Sequence, residues 1–139
     1  MRLNVEQMEH LVWQVGGNQT DPGLRKIRLD LIVDAFENFM DNGTGFAYGE
    51  PGGFLLAMHS VDVFSGKRKA YEFLFLVDEH KQPETASRLL EEFEAGAKAD
   101  GCETAVVGAH SGFADWKKVE RYYRMNGYTF LSESMQKIL

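Results

Sequence analysis

Apolar positions along this chain switch between helical spacing and strand-like runs. Met8, Leu11, Val12 and Val15 recur at intervals of three and four behind Asn4, and Gln7 stands three residues after that asparagine. This is the pattern of a capping box feeding a short amphipathic helix, closed at Gly16-Gly17. Asp21-Pro22 then offers an N-cap followed by proline at the first helical position, and Leu24, Ile27, Leu31, Ile32, Ala35, Phe36 and Phe39 keep helical spacing up to Asn42-Gly43. A second helix over this whole stretch is expected. From Gly45 the period changes. Phe46-Ala47-Tyr48, the run at 54–64 and the run at 70–77 are separated by Glu50-Pro51-Gly52-Gly53 and Ser65-Gly66-Lys67, which predicts an antiparallel meander.

Past Val77 the chain passes through a short polar turn into a helix whose Ala86, Leu89, Leu90, Phe93 and Ala97 share a face, ended by Ala99-Asp100-Gly101. The apolar stretch 104–109 reads as a buried strand parallel to 70–77, because a helix connects them. A helix at 115–125 ends at Asn126-Gly127, where glycine can take the left-handed cap conformation. Two short strands, 128–131 and 135–139, are expected to complete the sheet. The class predicted is α/β (α+β): a mixed, largely antiparallel twisted sheet flanked by helices, with one parallel strand pair.

Composition narrows the function classes. With 139 residues and 44% apolar side chains, the expectation is one domain spanning 1–139 with a sizeable core. No apolar run approaches the ~20 residues of a membrane helix, and a soluble, cytoplasmic protein is expected. A formal charge of −6 has the wrong sign for gathering the phosphates of a nucleic acid, and suits a cationic partner instead. The single cysteine, Cys102, leaves no intrachain disulfide and reads as a small buried or half-buried filler. The four histidines, at 10, 59, 80 and 110, show no ligand spacing, so no metal is expected.

The strand-turn-helix at 74–90 carries the chemistry. The first backbone N–H groups of a helix lack intrahelical partners and carry the positive end of its dipole, so such a turn can hold a phosphate by main chain alone. Leu74-Phe75-Leu76-Val77-Asp78-Glu79-His80-Lys81-Gln82-Pro83-Glu84-Thr85-Ala86-Ser87-Arg88-Leu89-Leu90 resembles a line of the GCN5-related N-acetyltransferase superfamily. That line runs Leu-Tyr-Val, a few turn residues, Arg/Gln-x-x-Gly-x-Gly/Ala, then a helix with paired leucines. Lys81 falls on the Arg/Gln position, Glu84 on the first glycine, Ala86 on the second, and Leu89-Leu90 on the leucines. Tyr122-Tyr123-Arg124-Met125-Asn126-Gly127-Tyr128 is similar to the family's Leu-Tyr-x-x-x-Gly-Phe, and the order of elements matches over most of the chain. A first strand, usual in the family, is at most the few residues 1–5.

The resemblance implies a reaction and a set of residues. An acetyl group would pass from acetyl-coenzyme A, the co-substrate, to an amine on a small molecule, a peptide or a protein, by direct attack. Leu76 and Val77 would give main-chain contacts to pantetheine, in a cleft opened where the two parallel strands splay apart. Lys81, Gln82, Glu84, Thr85, Ala86, Ser87 and Arg88 would surround the phosphates. Tyr123 falls where the family often has a tyrosine acting as general acid, and Glu72 and His59 are the candidate bases, with a water chain as the alternative. Members of the family often pair as homodimers. Plain structural roles compete at each position: Tyr123 as aromatic core beside Tyr122, Glu72 as a solvated strand residue, His59 as a hydrogen-bonded strand histidine. Glu84 departs from the family glycine and puts a negative charge where an anion would bind, although a first-turn glutamate also complements the helix dipole. The competing expectation is therefore a non-catalytic domain that keeps the fold to bind a partner.

Overall fold

The computed structural model describes residues 1–20, 27–81, 83–108, 116–131 and 135–139. Five strands form one sheet in sequence order: β1 (Arg2–Leu3), β2 (Gly45–Glu50), β3 (Gly53–Val61), β4 (Arg68–Val77) and β5 (Thr104–Val106). The first three pairings are antiparallel, and β4 with β5 is parallel, because the helix α3 (Glu84–Ala99) carries the chain back between them. Helices α1 (Val5–Gly17) and α2 (Leu29–Asp41) precede the meander, and α4 (Trp116–Met125) follows β5. No helix among the described residues is long and apolar enough to cross a membrane.

Both faces of β3 are buried, which is why its sequence is a continuous apolar run rather than an alternation. Phe54 and Leu56 join Met8, Val12, Val15, Phe36, Leu74 and Leu76 in a core under α1 and α2. Leu55 and Ala57 turn the other way, to Leu89, Leu90, Phe93 and Ala97 of α3 and Tyr123 of α4. The predicted capping box closes α1: the Asn4 side chain accepts from the Gln7 N–H at 2.8 Å, and Gln7 Oε1 accepts from the Asn4 N–H at 3.0 Å. The cap after α4 is also as expected. Gly127 has φ +88°, and its position lets the Tyr128 N–H donate to the Tyr123 carbonyl at 3.1 Å.

Three expectations need correction. The second helix does not run unbroken from Asp21: α2 begins at Leu29, after an extended Arg28, and Asp21, Pro22 and Leu24 lie outside the described residues. Arg28 instead closes a salt bridge on Asp30 at 2.7 Å, while its backbone stays out of the helix. The strand predicted at 104–109 is paired only from Thr104 to Val106, with 107 and 108 outside it and 109 beyond the described residues. Finally, 128–131 and 135–139 carry no strand among their described residues. An apolar, β-prone segment becomes a strand only when a neighbour takes up its N–H and C=O groups, and among the described residues the edge strand β5 is three residues long.

One close approach fixes the spacing of α3 over the sheet. A Cβ built at Gly96 would overlap the hydroxyl of Tyr48, itself 4% exposed beneath the helix. Alanine normally strengthens a helix by ~1 kcal/mol over glycine. Here Gly96→Ala is expected to lose about 1–3 kcal/mol in urea unfolding through overpacking, and Tyr48→Phe in the same chain should restore part of it.

Candidate functional site

The turn between β4 and α3 is built mostly from main chain. The Asp78 N–H donates to the Gly52 carbonyl at 2.8 Å, a single 3₁₀ turn spans Glu79–Lys81, and the Lys81 N–H returns to the Asp78 carbonyl at 2.9 Å. The Lys81 stem lies across the neighbouring hairpin, so close that a Cβ at Gly52 would come within 2.6 Å of Lys81 Cγ. Helix α3 starts after Pro83 with no side-chain cap. The Ser87 N–H is bonded to the Pro83 carbonyl at 3.0 Å, so the N–H groups of Glu84, Thr85 and Ala86 precede the first intrahelical bond and carry the helix's positive end.

The side chains expected around that turn divide into three groups. Lys81 and Glu84 are exposed; Gln82 lies outside the described residues. Thr85 is buried, its hydroxyl 3.5 Å from Glu50 Oε2. Ser87 Oγ is 3.3 Å from the Tyr122 hydroxyl, which joins α3 to α4. Arg88 forks onto Glu50, with Nε 2.9 Å from Oε1 and Nη2 2.7 Å from Oε2. The guanidinium holds the Glu50 carboxyl below its usual pKa range, against a smaller opposing effect of burial. The positive charge of Arg88 is thus already matched within the protein, and Glu50, at the end of β2, is a participant that nothing in the sequence spacing announced.

The second part of the site lies where β5 leaves β4. Their pairing runs Lys69↔Thr104, Ala70↔Ala105, Tyr71↔Val106 and stops, while β4 continues to Val77. Leu76 and Val77, the expected pantetheine contacts, are buried in that continuation and pair on the other side with Phe54 and Gly53 of β3. A β-bulge marks the start of the divergence: Leu56 faces Leu74 and Ala57 faces Glu72, which leaves Phe73 as the extra residue of β4. Glu72 points with Ala57 toward α3 and α4. Burial pushes its pKa up to about 7, opposed in part by a hydrogen bond from the Gly108 N–H. That N–H serves a side chain because the strand carrying it has parted from the β4 backbone.

Tyr123 meets this edge from α4. It is 5% exposed, in ring contact with Tyr122 at 6.0 Å and Tyr128 at 5.5 Å. Burial first, and then the charge of Glu72, raise its pKa above the ordinary phenol value, so it stays protonated at neutral pH. Two of the three residues proposed for proton transfer are therefore within electrostatic reach of each other.

His59 belongs to a different cluster. Its side chain is fully buried, stacked on Phe46 at 4.0 Å, with Nδ1 2.8 Å from Asp100 Oδ2. The same oxygen takes Arg68 Nη2 at 2.7 Å and Nε at 3.2 Å. Burial holds the His59 pKa below its usual value more strongly than Asp100 raises it, so the neutral ring donates its Nδ1–H to the carboxylate. Nε2 is buried and has no partner among the described residues. This arrangement fastens β3 and β4 to the end of α3. Cys102 is half-buried beside it, and His59, Asp100 and Cys102 bring ligand-type atoms within 4.8 Å of one another. The positive charge next to that carboxylate is already supplied by the Arg68 guanidinium.

No protein-family model matches the chain, and no curated protein matches it by sequence. Solved structures do match its fold. A transcriptional regulator from Bacillus halodurans C-125 superposes with a TM-score of 0.77 at 14% identity, over 100% of this chain and 97% of that one. A GCN5-related N-acetyltransferase from Ralstonia eutropha JMP134 gives 0.70 at 15% identity, over 99% and 96%. The glucosamine-6-phosphate N-acetyltransferase of Arabidopsis thaliana gives 0.69 at 14%, over 99% and 95%. The chain has the fold of the GCN5-related N-acetyltransferases along essentially its whole length.

Proposed function

We propose that this chain, as one acyltransferase domain over residues 1–139, moves an acetyl group from acetyl-coenzyme A to an amine. The observation that carries this reading is the meeting of Glu72, with a pKa of about 7, and protonated Tyr123 at the edge of β4 that β5 has left. A carboxylate with that pKa is substantially ionised at neutral pH and basic enough to take a proton, the combination general base catalysis favours. Acetyl-coenzyme A supplies the activated thioester. Glu72 takes the proton the amine must lose as its nitrogen bonds to the acetyl carbon, Tyr123 gives a proton to the departing sulfur, and solvent returns the proton from Glu72 to Tyr123. The main-chain N–H groups of Glu84, Thr85 and Ala86 fit a phosphate at the start of α3, with Lys81 as the cation nearest in sequence.

Glu84 is the point on which a second reading rests. An exposed carboxylate at the phosphate turn, together with an Arg88 committed to Glu50, also suits a domain that keeps the fold and binds a partner without catalysis. Calorimetric titration with acetyl-coenzyme A separates the two. The parent chain is expected to bind, and Glu84→Gly to bind several-fold more tightly at low salt. A like charge at ~4 Å costs on the order of 1–4 kcal/mol, with the lower end appropriate to an exposed group, and the gain should shrink as salt is raised. Absence of binding by both proteins at any salt would overturn the transferase reading and leave the fold alone.

A further inference from the structure

Two residues that flank Tyr123 depart from the pattern that the stretch 122–128 otherwise follows. Leu-Tyr-x-x-x-Gly-Phe has apolar side chains at its first and last positions, whereas this chain has Tyr122 and Tyr128 there, each of which brings a hydroxyl. Both side chains are half-buried, and both hydroxyls find a partner on α3. Tyr122 Oη lies 3.3 Å from Ser87 Oγ, and the Tyr128 hydroxyl donates to Glu94 Oε1 at 3.1 Å. Ser87 and Glu94 stand two turns of α3 apart, so they share one face of that helix, separated by about 10 Å along its axis. Burial first, and then the charge of Glu94, raise the Tyr128 pKa above the ordinary phenol value, so it remains a donor at neutral pH.

The two bonds bracket Tyr123. Its ring contacts Tyr122 at 6.0 Å and Tyr128 at 5.5 Å, and its carbonyl accepts from the Tyr128 N–H at 3.1 Å across the Gly127 turn. Asn126 Nδ2 donates to the Tyr122 carbonyl at 2.8 Å and holds the same turn. The Tyr123 hydroxyl itself makes no hydrogen bond among the described residues, so its place is set by its neighbours. We infer that Ser87 and Glu94, acting through the hydroxyls of Tyr122 and Tyr128, are positioning residues that hold Tyr123 against the edge of β4 where Glu72 lies. The role of Tyr123 as an acid rests on the transferase reading; the clamp does not. A helix tied at one point can pivot, whereas ties two turns apart along α3 stop α4 from rolling or sliding over it. Such precision matters to a proton donor, because a misplacement of about 1 Å can cost on the order of 10²-fold in rate.

The test removes the ties and leaves the rings. Tyr122→Phe with Tyr128→Phe deletes both hydroxyls; Glu94→Ala, at an exposed position, deletes one bond without touching the core, and Glu94→Gln returns an acceptor. The readout is the Glu72 carboxyl carbon in a chain labelled with carbon-13 glutamate, titrated by NMR with no ligand present and assigned with Glu72→Gln. In the parent its midpoint is expected at about 7, where burial puts it. Once α4 is released, water reaches that carboxyl, and the midpoint should fall by about one pH unit or more in the double variant. It should fall by part of that in Glu94→Ala and keep the parent value in Glu94→Gln. Bonds that merely stabilise the fold would lower the urea midpoint and leave the Glu72 titration where it was; that result, or equal behaviour of Glu94→Ala and Glu94→Gln, would overturn the inference. On an amine that the parent acetylates, kcat of the double variant should drop by about tenfold to 10²-fold with acetyl-coenzyme A affinity unchanged. If acetyl-coenzyme A fails to bind the parent, the transferase reading falls, and the Glu72 titration still decides whether the clamp holds Tyr123.

Discussion

Replacing Glu72 by glutamine is expected to lower acetyl transfer by about 10²- to 10⁴-fold, the usual worth of a positioned general base, with acetyl-coenzyme A affinity nearly unchanged. The parent's kcat/KM should rise with pH through a limb near pH 7, because burial pushes the carboxyl pKa up to about that value and only the ionised form accepts a proton. That limb should vanish in the glutamine variant. Stability moves in the opposite direction. A carboxyl whose folded pKa lies above its unfolded value binds more protons in the native state, so stability falls as pH rises from about 4.5 to about 7. Glu72→Gln removes the cost of ionising a desolvated carboxyl, and should raise the unfolding free energy above pH 7 by an amount on the order of 1–3 kcal/mol while changing little near pH 4. A variant that keeps full turnover and still gains stability at high pH would make Glu72 a buried structural acid.

Tyr123→Phe should cost a comparable factor in kcat, on the order of 10²-fold or more, through loss of the proton given to the leaving sulfur. The ring contacts with Tyr122 and Tyr128 survive the substitution, so unfolding should be almost unaffected. The split between kcat and KM carries the diagnosis: an interaction made only in the transition state lowers kcat and kcat/KM together. Because the phenol pKa is raised by burial and by the Glu72 charge, the parent should show no descending limb from Tyr123 in the neutral range. Equal rates for variant and parent, on a confirmed acceptor, would assign Tyr123 to the core.

Local signals explain which parts of this protein are legible in the amino-acid sequence. Asn4 and Gln7, the glycine turns around β2, β3 and β4, the paired leucines of α3 and Gly127 each act within a few residues, and the elements they specify are present in the structure. The Asp21-Pro22 cap lies outside the described residues, and the expectation of one unbroken helix from it to Phe39 fails at Ile27 and Arg28, which lie outside α2. Strand-like composition at 128–131 and 135–139 likewise promised what only a pairing partner could deliver.

The sequence by itself determined the order of elements from α1 to α4, their apolar faces and the strand-turn-helix at the start of α3, since these follow from spacing and backbone geometry. Only the tertiary structure decided what the polar groups do. Burial, not spacing, moves the Glu72 pKa to about 7, and the parting of β4 and β5 brings the Gly108 N–H to it. Long-range approach pairs Arg88 with Glu50 across 38 positions and His59 with Asp100 across 41. Charge and desolvation act through space over a few ångströms, and the distances that set them are created by the packing of strands and helices far apart along the chain.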